Sequence, residues 1–370
     1  MKVVTVVGTR PEIIRLAATI KRFDATFEHV LVHTGQNWDH QLNQVFFDEL
    51  GLRRPDHYLN VDTSSLGHVL GETLIKTEEV LRLEQPDAFV VLGDTNSAIS
   101  SVIAKRMHIP VYHLEAGNRS FDENVPEETN RRLVDHVADF NLVYTEHARR
   151  NLLAEGLHPR RIVLIGSPLR EVLEMYRPQI DASTVLERLG LTANSYFLVS
   201  AHREENVDSP NRLAQLVEVL EAVAAEWRLP VLVSTHPRTR QRLRQHRIAT
   251  GGNIMLHEPF GFFDYNRLQL SAKVVLSDSG SISEESAIVG FRAITLRGSI
   301  ERPEALEAGT IIMTDLNVAE TLAAIEREDT QQSSSMPFEY QILNTSQRVV
   351  SYMMSTAGRH ADWSGIREPH

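Results

Sequence analysis

Short β-branched runs recur along this chain at residues 2 to 7, 29 to 33, 88 to 92, 110 to 114, 140 to 144 and 162 to 165, each separated from the next by helix-period sequence. That alternation is the pattern of repeated βαβ units, and it predicts a doubly wound parallel sheet with helices on both faces. The pattern then restarts at residues 196 to 200, 230 to 235, 253 to 257, 273 to 277, 292 to 296 and 310 to 313. Two Rossmann-like α/β domains follow, and 370 residues exceed what a single core usually serves. The join is expected near Gly166-Ser167-Pro168, where a strand runs into turn residues. The expected division is therefore residues 1–168, residues 169–337 and a terminal segment 338–370. The polar stretch from Gln331 to Pro337 reads as a loop before a final helix, and Trp363 to His370 as a loosely held tail.

Composition narrows the function classes. The chain has no cysteine, which excludes disulfide scaffolds, thiolate zinc sites and cysteine nucleophiles. A formal charge of −11 argues against general affinity for nucleic acid or an anionic membrane, yet a local basic pocket can still hold a phosphorylated small molecule. The opening Met1-Lys2-Val3-Val4-Thr5-Val6-Val7-Gly8 reads as a buried strand, too short for a signal-peptide core, and no later apolar run reaches membrane-spanning length. A cytoplasmic location is expected.

In open parallel sheets ligands bind at the carboxyl ends of the strands, and the unusual residues of this chain fall there. The first strand runs into Gly8-Thr9-Arg10-Pro11-Glu12 and a helix, so backbone amides with Arg10 and Arg15 could face an anion. A tight turn with solvated arginines explains the segment equally well. Asp94 follows the strand 88 to 92; as a lone residue before Thr95 it reads as a helix cap. Glu115 ends the strand 110 to 114 and precedes Ala116-Gly117, a small pair that lets a ligand approach the backbone. Pro126-Glu127-Glu128 opens another helix, ahead of Asn130-Arg131-Arg132, where acids are favoured by the helix dipole alone. Three acids on neighbouring strand ends nonetheless suggest a cluster suited to acid/base work on two faces of a sugar.

The second series supplies complementary groups. His202-Arg203 follows the strand 196 to 200 and His236-Pro237-Arg238 follows the strand 230 to 235, so two of the sixteen histidines occupy equivalent strand ends. Either histidine could simply be a surface residue. Metal binding is not expected, because no HxxxH or HExxH spacing occurs and the neighbours are basic. After the strand 273 to 277, Asp278-Ser279-Gly280-Ser281 leads into a helix carrying Glu284-Glu285. Such a turn can wrap a diphosphate in amides and hydroxyls while a carboxylate takes a ribose diol. An ordinary Ser/Gly helix start with solvated first-turn acids is the alternative. Arg302, after the next strand, could close that site or form a surface ion pair.

The ordered set of these motifs, with Thr34-Gly35-Gln36 and Glu301-Arg302-Pro303-Glu304, resembles the non-hydrolysing UDP-N-acetylglucosamine 2-epimerase family over nearly the whole chain. The resemblance implies a GT-B arrangement of two Rossmann-like domains with the active site in the interdomain cleft, a UDP-sugar substrate, no cofactor and a homodimer. It makes Asp94, Glu115 and Glu127 the catalytic carboxylates and His202 a catalytic or phosphate-contacting histidine. By the same resemblance Arg10, Ser279, Glu285 and Arg302 are nucleotide-binding positions, and the final helix crosses back to the N-terminal domain. Arg15, Gln36, Arg131, His236 and Gly280 belong to the expected substrate-binding set. Arg15 stands where the family has lysine, which keeps charge but changes geometry.

The segment Asn118 to Val125 is shorter than in the UDP-N-acetylglucosamine enzymes and lacks their Ser-Pro-Trp. With Ser200-Ala201-His202-Arg203-Glu204-Glu205-Asn206, Ser234 to Arg240 and Tyr144 to Arg150, it resembles the branch called UDP-N-acetyl-L-fucosamine synthase, which serves capsule or O-antigen synthesis. Leu296-Arg297-Gly298-Ser299-Ile300 departs from that branch. The alternatives are UDP-N-acetylglucosamine as substrate and, from other classes, a GT-B UDP-sugar glycosyltransferase, a hydrolysing epimerase or a UDP-sugar sensor, because fold alone does not separate them.

Overall fold

A computed structural model describes residues 1–35, 47–330 and 336–367. The chain divides into two compact units, Met1–Met175 with Gln341–His370, and Tyr176–Tyr340. The division falls after the helix Pro168–Met175 rather than at residue 168, because that helix packs on the helix Arg10–Thr26 of the first unit.

The first unit is built on seven parallel strands: β1 (Lys2–Val7), β2 (Glu28–His33), β3 (His57–Tyr58), β4 (Ala88–Leu92), β5 (Val111–Leu114), β6 (Phe140–Val143) and β7 (Ile162–Leu164), in the order β3-β2-β1-β4-β5-β6-β7. The second has six, β8 (Phe197–Ser200), β9 (Val231–Ser234), β10 (Ile254–His257), β11 (Val274–Ser277), β12 (Ala293–Thr295) and β13 (Ile312–Met313), in the order β10-β9-β8-β11-β12-β13. Helices cover both faces, so the strands are apolar on both sides rather than alternating: Val3, Val4, Val6 and Val7 of β1 and Phe89, Val90 and Val91 of β4 have no solvent exposure. Each sheet reverses its strand order once, between β1 and β4 in the first unit and between β8 and β11 in the second. The loops at the carboxyl ends of those four strands are where a doubly wound sheet opens a crevice.

The last part of the chain is short 3₁₀ helix at Phe338–Gln341, then helix at Thr345–Thr356, which lies on Arg10–Thr26. Val349, Val350 and Met353 are buried, Arg22 Nε donates to Ser346 Oγ at 2.8 Å, and the Tyr112 hydroxyl meets Thr356 Oγ1 at 2.7 Å. Trp363 is not part of a loose tail: it belongs to the short helix His360–Ser364, and the Arg160 guanidinium lies 5.1 Å from its ring.

Asp139, just ahead of β6, anchors that segment. Its carboxylate accepts from Val111 N at 3.0 Å, meets His360 Nε2 at 2.9 Å and pairs with Lys105. Burial alone would push this carboxyl up, but the bonds from His360, Lys105 and Val111 outweigh it and hold it below its ordinary value. A depressed folded-state value contributes stability above the unfolded value and loses it as pH falls through the folded one. Asp139→Asn is therefore expected to cost about 1–3 kcal/mol at neutral pH. The gap from the parent should narrow below about pH 4 in thermal melts. A gap that does not change with pH would mean that the Asp139 pairing is not its source.

Candidate active site

At the first switch point Gly8 and Thr9 follow β1, and Glu12 gathers the surrounding loops. Its carboxylate accepts from Gly8 N at 2.9 Å, Thr9 N at 2.6 Å, Thr9 Oγ1 at 2.8 Å and Thr95 Oγ1 at 3.0 Å, and also from Ser97 Oγ. Burial pushes Glu12 up and those donors pull against it. One carboxylate thus ties the loop carrying Arg10 to the loop carrying Asp94. Arg10 itself is the first residue of the helix and half-buried.

β4 and β5 lie side by side with Leu92 opposite Leu114, and Gly93 N donates to Leu114 O at 2.9 Å, which sets Asp94 and Glu115 at adjacent strand ends. Helix Pro126–Val137 closes on them: Asn130 Nδ2 donates to Asp94 O at 2.9 Å, and Arg131 grips Asp94 Oδ2 through Nε at 3.0 Å and Nη2 at 2.6 Å. Glu127 is one turn before Arg131 on the same face. It is half-buried and makes no hydrogen bond or ion pair among the described residues. Arg131, expected to bind substrate, is buried and braces Asp94 and Glu128. Arg15, expected beside a phosphate, is buried with Nη1 3.5 Å from Glu115 Oε2. Glu128 is structural: it accepts from the Ser120 amide and hydroxyl, both at 3.0 Å, and so pins the segment Asn118 to Val125. Gln36 lies outside the described residues.

Glu115 has φ +64°, the left-handed region, which costs a non-glycine residue about 1–3 kcal/mol and gathers at functional sites. Gly117 follows at φ +83°, and a Cβ there would sit 2.4 Å from Ala148 O.

At the second switch point the hub is Asp278, fully buried after β11. It accepts from His202 N, Arg203 N and Asn206 Nδ2 at 3.0–3.1 Å, with His202 Nδ1 3.5 Å away, so it fixes the loop after β8. The His202 ring itself is exposed. Ser279 Oγ meets Ser281 Oγ at 3.0 Å in the turn leading to helix Ile282–Val289. Gly280 is closely enclosed: a Cβ would lie 2.5 Å from Glu301 Oε2, 3.1 Å from Arg203 Nη2 and 3.3 Å from Arg302 Nη1. Two guanidinium groups therefore stand against a bare backbone, the arrangement a diphosphate needs. Arg302 Nη1 donates to Gly280 O at 2.6 Å. Glu285 is held by Ser281 Oγ and Gln269 Nε2, each at 2.6 Å. His236, in the loop after β9 and so one strand from the switch point, is exposed and caps helix Pro237–Gln245. Among the described residues no group of three or more His, Asp or Glu side chains is placed to hold a metal ion, and no helix is long and apolar enough to cross a membrane.

Sequence reading assigned no role to Glu12, Asp278, His113 or Asp135. One signal was available for Asp135: Glu127, Arg131 and Asp135 recur at four-residue spacing on one helix face.

Two doubly wound units, each with polar groups gathered at its switch point, define an α/β enzyme of the GT-B fold. The solved UDP-N-acetylglucosamine 2-epimerase of Rickettsia bellii superimposes with a TM-score of 0.90 at 40% identity, covering 98% of each chain. The Methanocaldococcus jannaschii UDP-GlcNAc 2-epimerase, solved in complex with UDP-GlcNAc and UDP, gives a TM-score of 0.89 over 96% of this chain and 100% of that one. By sequence the Methanocaldococcus enzyme is 35% identical over 338 residues, 88% of this chain and 92% of its own. The UDP-2,3-diacetamido-2,3-dideoxy-D-glucuronate 2-epimerase of Pseudomonas aeruginosa is 32% identical over 319 residues, 85% and 88% of the two chains. The chain belongs to the UDP-N-acetylglucosamine 2-epimerase family, whose pattern matches residues 20–354, and it is an isomerase.

Proposed function

We propose that this protein inverts C2 of a UDP-linked 2-acetamido sugar by eliminating UDP and adding it back, and that its substrate is the 2-acetamido-2,6-dideoxy-L-talose derivative, giving UDP-N-acetyl-L-fucosamine. The observation that carries the mechanism is that Asp94 and Glu115 follow the adjacent strands β4 and β5 and that Glu127 opens the helix that closes on them. The C2 hydrogen of such a sugar is not beside a carbonyl, so it becomes removable only as the C1–O bond breaks. Arg10, His202, Ser279 and Arg302 stabilise the departing diphosphate, which leaves with the bonding pair, while a carboxylate takes the C2 proton and a C1=C2 glycal forms. Re-addition delivers a proton to the opposite face of C2 and rejoins UDP at C1. Asp94 and Glu127 act as the acid/base pair and Glu115 orients them. Arg15, Gln36, Arg131, His236, Gly280 and Glu285 complete the substrate contacts.

The choice of sugar is supported by the short Asn118 to Val125 segment, held against Glu128 through Ser120. UDP-N-acetylglucosamine is the second reading, favoured by the 35% identity to the Methanocaldococcus enzyme. The product would serve capsule or O-antigen assembly, made by a homodimer in the cytoplasm. The test is incubation in deuterium oxide without acceptor, once with each UDP-sugar. Deuterium at C2 of UDP-linked product is expected, faster with the 6-deoxy-L-talose derivative. Preference for UDP-N-acetylglucosamine would overturn the sugar assignment; free sugar, or C2 left unlabelled with both, would overturn the reaction.

A further inference from the structure

Behind the Glu115 turn lies a buried charged chain that, among the described residues, makes no hydrogen bond or ion pair with the side chains assigned to substrate contacts. Asp135, on the inner face of helix Pro126–Val137, has no solvent exposure. Its two oxygens each lie 3.2 Å from Gly117 N, and Oδ2 accepts from Arg119 Nη1 at 2.7 Å. Oδ1 stands 2.9 Å from His113 Nδ1. The other ring nitrogen of His113 meets Gly93 O at 2.7 Å; a carbonyl only accepts, so Nε2 carries the hydrogen there. Arg119 is clamped from its far side by Glu155, through Nε at 2.7 Å and Nη2 at 2.6 Å. Burial alone would disfavour its charge, and the bonds to Glu155 and Asp135 more than offset this, holding the guanidinium above its ordinary value. The carbonyl of Gly117 is tied as well, by Asn151 Nδ2 at 2.9 Å.

We propose that Asp135, held between Arg119 and His113, is a positioning residue that fixes the backbone beneath two catalytic carboxylates at once: the left-handed Glu115–Gly117 turn through the Gly117 amide, and Gly93, next to Asp94, through the His113 ring. The inference rests on the catalytic reading of Glu115 and Asp94. A left-handed glutamate persists only where its surroundings over-determine it, and Asp135 with Asn151 does so by holding both polar groups of Gly117. The ion pair with Arg119 matters because an aspartate gripped by a guanidinium on one side and by the Gly117 amide on the other has little freedom to rotate away.

Asp135→Asn is expected to lower kcat about 10- to 100-fold, the usual scale for a group that orients a reacting one, with KM and UDP affinity unchanged. In the Glu115→Gln background, followed by slow deuterium exchange at C2, the same substitution should cost less than it does alone, since one of the two groups it positions is already gone and only the share carried through His113 and Gly93 to Asp94 remains. Glu155→Gln, at the more exposed end of the chain, should show a smaller kcat loss with the same dependence on Glu115, and it decides the matter if Asp135→Asn does not fold. Losses that multiply in the double variants, or folded single variants with parental kcat, would overturn the proposal. Parental turnover in Glu115→Gln alone would instead overturn the catalytic role of Glu115.

Discussion

Glu127→Gln is expected to lower turnover by about 10²- to 10⁴-fold, the contribution of a general acid or base, while leaving thermal stability and UDP affinity where they are. The separation follows from the surroundings of the side chain. Glu127 is half-buried in the first turn of its helix and makes no hydrogen bond or ion pair among the described residues. The amide has the same shape and breaks no hydrogen bond or ion pair among the described residues, so any loss belongs to the chemistry. Asp94→Asn should fall in the same range but less cleanly, because Asp94 also carries the paired bonds from Arg131 and its amide releases part of that guanidinium. Steady-state kinetics with a melting curve and a UDP titration for each variant check both. Parental kcat in Glu127→Gln would remove it from the acid/base pair.

Gly117→Ala should be more disruptive than its single methyl suggests. The left-handed backbone at φ +83° costs an alanine about 1–2 kcal/mol. Overpacking adds about 1–3 kcal/mol, because the new Cβ would lie 2.4 Å from Ala148 O and 2.9 Å from Ala148 C. Those atoms are helix backbone, which cannot turn aside as a side-chain tip can. The relaxation open to the chain is to move the turn, and Glu115 moves with it. A lower melting temperature together with lost turnover is therefore expected. Gly93→Ala is the control: Gly93 has φ +69° but nothing within 4 Å of a new Cβ, so it carries the conformational cost without the clash. If the two variants behave alike, the contact with Ala148 is not what holds the turn.

The strand positions were legible because a parallel sheet covered on both faces needs nearly unbroken apolar runs, and all the runs from 2 to 7 through 310 to 313 contain strands. β3, two residues at His57–Tyr58, was not, being too short to leave a pattern. The loose tail failed at Trp363 because its partners Phe140 and Arg160 are distant in sequence. Similar first-turn acids divided in the same way. Glu127 and Glu128 are neighbours in one helix start, yet one is left without a partner among the described residues and the other receives Ser120, Arg131 and Arg132.

The sequence by itself determined two doubly wound units and put Asp94, Glu115, His202 and the Ser279-Gly280 turn at strand ends, since periodicity and turn residues are local signals. Only the tertiary structure decided that Arg131 and Arg15 lie against carboxylates, that Glu12 and Asp278 hold the loops of the two switch points, and that Asp135 stands beneath the Glu115 turn. Those roles depend on which donors a buried carboxylate meets, and the donors come from segments that folding alone brings together.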